Sequence, residues 1–79
     1  MPSDLLERIR RNPAGDWQIH DVEGLCREYG LMLRAGKGTS HVHVKHPSAR
    51  EILTIPARRP IKPVYIRKLV RYIELHGES

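Results

Sequence analysis

The sequence predicts an α+β domain with three helices and a three-stranded antiparallel sheet, in the order α-α-β-β-β-α. Two changes of hydrophobic period and the placement of the prolines carry that prediction. Apolar residues recur at helical spacing up to Gly30, alternate with period two from His41 to Lys45, and return to helical spacing after Pro63. The prolines stand between these periodic segments and not within them, as expected of a residue that interrupts both helices and ladders.

Taken in order, Ser3 and Asp4 precede Leu5, Leu6 and Ile9, with Glu7 in the first turn, which predicts a short amphipathic helix ending near Asn12-Pro13. Ala14-Gly15-Asp16 is a turn, and Trp17 anchors it ahead of a second helix from about Ile19 to Tyr29. Val22, Leu25, Cys26 and Tyr29 form the inner stripe of that helix, and Gly30 is its stop. The short apolar run Leu31–Arg34, the turn-rich Ala35–Thr39 and the alternating His41–Lys45 read as a hairpin. Val42 and Val44 then share one face, and His41, His43 and Lys45 the other. Pro47–Arg50 turns the chain into a third strand, Glu51–Ile55, ended by Pro56. Past the basic loop Ala57–Pro60, Pro63 opens a last helix whose stripe is Ile66, Leu69, Val70 and Ile73.

Seventy-nine residues, 39% of them hydrophobic, make one small core and no second one. A chain of this size buries only about 60–65% of its unfolded surface, so its stability is expected to be marginal. One cysteine makes no intrachain disulfide, and neither a secretory segment nor an apolar run near ~20 residues is present, so the expected setting is the reducing cytoplasm with no membrane contact.

Charge is divided unevenly. Residues 1–30 carry four Lys/Arg against six Asp/Glu, whereas residues 31–79 carry ten against three, and between Arg34 and Arg71 the only acid is Glu51. Such a segment presents the positive surface of a polyanion binder. Its candidate RNA-contacting residues are Arg58, Arg59, Lys62, Arg67, Lys68 and Arg71, weighed against the plainer reading of a solvated charged face. Lipid is a weaker partner, because a membrane-surface helix sets Trp, Phe or Leu opposite its basic face and Phe is absent. With four aromatic residues in all, the sheet has little to stack on bases, so contact through phosphates and 2′-hydroxyls is expected.

Three motifs invite chemistry. His41-x-His43-x-x-His46 copies a metallohydrolase spacing, but Lys45 stands where an acid belongs and further ligands are wanting, so no metal and no other cofactor is expected. Gly36-Lys37-Gly38-Thr39-Ser40 lacks the order of a Walker loop; it is a tight turn that sets Lys37 and Ser40 beside His41. Cys26, among apolar neighbours, is a core residue and not a nucleophile.

The Gly-rich turn ending in Ser40-His41, the alternation Val42–Lys45, His46-Pro47, Leu53-Thr54-Ile55-Pro56 and the basic last helix together resemble the HicA toxin family over roughly Trp17 to Ile73. HicA proteins are small mRNA interferases of bacterial toxin–antitoxin pairs. The resemblance implies a single HicA-like domain over 1–79 with 17–76 as the core, and the N-terminal helical extension over 1–16 is a departure from the family pattern. It also implies a double-stranded-RNA-binding-domain-like fold with helices on one face of the sheet, and a HicB-like antitoxin as protein partner. The family's catalytic histidine falls on His41. This chain departs from the family by one residue in the turn, Gly38-Thr39-Ser40-His41 against the commoner Gly-Ser-His.

A histidine suits acid–base work on RNA because its ordinary pKa is ~6.5, and 2′-hydroxyl attack on the adjacent phosphate needs a base, an acid and cations. His41 is therefore the expected acid/base group. His43 and Ser40 are offered as helpers, and Lys37, Lys45 or Arg59 as stabilisers of phosphate charge. DNA should not be cut. The rival expectation is a non-catalytic basic RNA-binding domain in which His41 is a surface histidine.

Overall fold

A computed structural model of the chain describes residues 4–36, 40–58 and 60–77. Among these the order is α1 (Asp4–Arg11), α2 (Ile19–Glu28), β1 (Met32–Ala35), β2 (His41–Lys45), β3 (Leu53–Pro56), α3 (Pro63–Tyr72) and a π-helical turn (Ile73–Gly77). The strands form one antiparallel sheet in the order β1-β2-β3. The α+β class and the element order are as expected.

Local chemistry sets the ends of these elements. Asp21 accepts a hydrogen bond from Gln18 N–H at 2.9 Å and starts α2. At its other end Leu31 N–H donates to Cys26 O at 2.8 Å, with Gly30 between them at φ 69°, the left-handed position of a Schellman stop. Because Leu31 is engaged in closing the helix, β1 begins one residue later than the apolar run suggested. The third strand also begins later than expected, at Leu53. Glu51 has its carbonyl taken by the Tyr72 hydroxyl at 2.8 Å, which draws it away from the ladder. Pro56 lies inside β3, opposite His41, as its last rung. An edge strand tolerates the missing N–H there. At α3, Lys62 is the N-cap and Pro63 sits in the first turn, where its fixed φ is favourable.

One core joins every layer. Val22, Leu25 and Cys26 of α2, Val42 and Val44 of β2, Ile55 of β3 and Ile66, Leu69, Val70 and Ile73 from the last helix and its π turn are all buried. Leu6 and Ile9 of α1 belong to the same cluster, so the N-terminal helix contributes to the core. Tyr72 is buried as well, and its hydroxyl accepts from His46 N–H at 3.0 Å while donating to Glu51, clamping the β2–β3 connection to the helix. Tyr29 is only half-buried. Trp17 does anchor its turn: its indole N–H donates to Asn12 O at 2.6 Å, and its carbonyl accepts from Ile61 N–H at 2.9 Å. No described helix is long and apolar enough to cross a membrane.

Candidate functional site

Register decides which side chains share the uncovered face of the sheet. Val42 and Val44 point into the core, so His41, His43 and Lys45 lie on the other face, where they are exposed or half-buried. His41 stands opposite Pro56 and His43 opposite Thr54 across β3, while across β1 Arg34 faces His43 and Met32 faces Lys45. His41 and His43 are therefore two residues apart on one strand face, ~6.6 Å along the strand.

His41 opens into a cleft of ≈ 270 Å³ lined by Ser40, His41, Pro56, Arg58, Lys62 and Tyr65. Three backbone features hold it. Gly36 N–H donates to His41 O at 2.9 Å and closes the hairpin; Ala57 N–H donates to Ser40 O and draws Arg58 alongside; Ile61 N–H to Trp17 O fixes the approach to Lys62. α3 begins in the wall of the cleft with no acid in its first turn, so the positive end of its dipole adds to the two cations. No carboxylate lines the cleft among the described residues. Such a lining is chemically suited to an anion beside a histidine.

The expected residues divide. Arg58 and Lys62 join His41 and Ser40; Lys68 does not line the cleft, and its ammonium lies 5.6 Å from the Tyr65 ring centre. Arg67 and Arg71 instead line a separate and larger groove, ≈ 570 Å³, with Arg10, Pro13 and Glu74. No histidine lines that groove, and Arg10 is already paired with Glu7 at 3.1 Å and Glu74 at 2.9 Å, so we do not place the chemistry there. Lys45 donates to His46 O at 3.3 Å and lies at the far end of β2 from His41. Lys37 and Arg59 lie outside the described residues.

His46 leaves the histidine trio. Its Nδ1 accepts from Ser48 N–H at 3.0 Å within the Pro47 turn, and its ring lies 6.3 Å from that of His76. Among the described residues no three His, Cys, Asp or Glu side chains gather as a metal would need. His43 is tethered, Nδ1 to Thr54 Oγ1 at 3.0 Å. Cys26 is buried, and burial together with the Glu23 carboxylate pushes its thiol up to about 11, far from a nucleophilic thiolate.

No family model, curated protein or solved structure matches the chain. The functional reading therefore rests on this geometry and on the motif resemblance. Tyr65 was not singled out from sequence as a site residue. A tyrosine three positions after the N-cap Lys62, next to a basic loop, is the signal that could have found it.

Proposed function

We propose that this protein is a metal-independent endoribonuclease of HicA type, the toxin of a toxin–antitoxin pair, with a HicB-like antitoxin as its partner. The observation that carries the reading is the placement of His41 in a cleft with Arg58 and Lys62 and, among the described residues, no carboxylate, two residues along β2 from the tethered His43. Supporting it are the element order and the uncovered sheet face, which agree with a double-stranded-RNA-binding-domain-like arrangement.

In this mechanism the scissile phosphate sits between Arg58 and Lys62, which stabilise the charge of the phosphorane. His41 removes the proton from the 2′-hydroxyl, whose oxygen attacks phosphorus; the P–O5′ bond breaks, and the leaving oxygen takes a proton from the second acid/base group, His43. One fragment ends in a 2′,3′-cyclic phosphate and the other in a 5′-hydroxyl. Arg58 and Lys62 join the residues expected from sequence to stabilise phosphate charge, Lys37, Lys45 or Arg59, of which Lys37 and Arg59 lie outside the described residues.

The test is product chemistry. Single-stranded RNA incubated with the protein in EDTA is expected to yield 2′,3′-cyclic phosphate ends, while DNA and 2′-O-methylated RNA stay intact. Cleavage of DNA, 5′-phosphate ends, or a requirement for added zinc would overturn the mechanism.

A further inference from the structure

The uncovered face of the sheet holds a second concavity, ≈ 310 Å³, lined by Met32, Arg34, His43, Lys45 and Ile52. Met32 is 55% exposed and Ile52 57% exposed, and they are two of the four large hydrophobic residues left in solvent among the described residues. A single exposed apolar side chain is ordinary. Two that converge on one concavity between an Arg and a Lys, with no acid in the lining, form a surface with a definite chemical complement. That complement has a flat apolar part and an anionic part side by side.

We propose that this groove is a nucleotide subsite for unpaired RNA, in which the base rests on Met32 and Ile52 and its phosphate is held by Arg34 and Lys45. The inference rests on the ribonuclease reading and names the class of substrate for it. Continuity decides for RNA over an acidic protein segment. His43 lines the groove, shares its strand face with His41, and stands opposite both Arg34 and Thr54, so the groove and the His41 cleft are neighbouring stations along one strand. From His41 to Lys45 is ~13 Å along β2, so a chain with its phosphate at His41 brings a nearby nucleotide over the groove.

The base must be unpaired. A duplex keeps its base faces stacked inside and offers this surface only sugar and phosphate, leaving Met32 and Ile52 with nothing to cover them. An unpaired base covers both, and the Met32 thioether makes the favourable sulfur–ring contact that Met offers to flat π systems. Lys45 is held in place by its bond to His46 O at 3.3 Å, which uses one of its three donors. The expectation of contact through phosphates and 2′-hydroxyls alone is thereby extended: the apolar surface for a base is aliphatic and comes from β1 and from the residue before β3.

The experiment uses the full chain with labelled Met and Ile methyl groups and labelled His and Tyr rings, titrated with a 2′-O-methylated hexa-adenylate that cannot be cut, an abasic hexamer of the same charge, and the hexa-adenylate annealed to its complement. The Met32 and Ile52 methyl signals are expected to shift saturably with the single strand and not with the duplex. The double variant Met32→Ser/Ile52→Ser, whose changes lie outside the core, is expected to keep its melting temperature and to bind the hexa-adenylate about tenfold more weakly. Its affinity for the abasic hexamer is expected to change by less than about twofold. Unmoved methyl signals alongside shifts at His41 and Tyr65 would overturn the subsite and leave the ribonuclease reading standing. Equal losses for both probes would overturn base recognition. Methyl shifts with an acidic leucine-containing peptide and none with RNA would assign the groove to a protein partner and overturn the proposal. Silence at every signal with RNA would remove both readings together.

Discussion

His43 is tied to Thr54 directly across the β2–β3 pair, with Nδ1 3.0 Å from Oγ1. A ring so held presents its other nitrogen in one orientation, as an acid/base group requires. Thr54→Val keeps the shape and removes the hydroxyl. Because Thr54 is exposed, stability should stay within about 0.5 kcal/mol of the parent. The rate constant for RNA cleavage is expected to fall by roughly tenfold with KM unchanged, and Thr54→Ser to restore it. An unaltered kcat in the valine variant would show that the tether does not serve the chemistry.

Two glycines of the α2 segment should respond oppositely to alanine. Gly30 ends the helix at φ 69°, where a Cβ costs ~1–2 kcal/mol, so Gly30→Ala is expected to lower the denaturant midpoint. Gly24 lies mid-helix, and a Cβ there meets only Leu5 Cδ2 at 3.7 Å, an ordinary contact. Gly24→Ala should stabilise by up to ~1 kcal/mol through helix propensity. Urea unfolding of both variants measures the contrast, and a destabilised Gly24→Ala would place the α1–α2 packing in error.

Cys26 gives a pH dependence whose sign follows from burial. Its thiol is raised from an ordinary 9.0 to about 11 in the folded chain, so between those values the unfolded chain has lost a proton that the native chain keeps. The stabilisation is complete below about pH 9 and is lost as pH rises toward 11, by an amount of order 2 kcal/mol. Urea unfolding at pH 8 and pH 10.5 should show that decline in the parent and less of it in Cys26→Ala. Native protein at pH 8 should also resist thiol reagents; rapid labelling without denaturant would mean Cys26 is not sealed in the core.

Much of this architecture follows from local pattern. The stripes Val22-Leu25-Cys26 and Ile66-Leu69-Val70-Ile73 and the alternation of β2 are legible in the chain because burial imposes the period of the element on its residues. What was not legible depends on pairing between distant segments. Within Leu31–Arg34 four residues look like one apolar run, and only the register, with Leu33 opposite Val44 and Met32 opposite Lys45, turns Met32 to the uncovered face. The sequence predicts Ile52 within a strand, and the bond from Tyr72 to Glu51 explains why the ladder starts after it. The basic residues from Arg58 to Arg71 look like one surface in sequence. The fold divides them: Arg67 and Arg71 lie on α3 beside α1 in one groove, and Arg58 and Lys62, ahead of the helix, line another.

The most direct measurement of the central claim is RNA cleavage by His41→Ala, compared with the parent and His43→Ala, alongside RNA affinity and thermal unfolding. His41 is exposed at the start of β2, so its truncation removes no core packing. The predicted result is a cleavage rate lower by ~10²–10⁴-fold, the usual contribution of a placed proton-transfer group, with melting temperature and RNA affinity nearly unchanged. A His41→Ala protein that cuts RNA as fast as the parent would contradict the assignment, and a parent that binds RNA without ever cutting it would make this a basic RNA-binding domain.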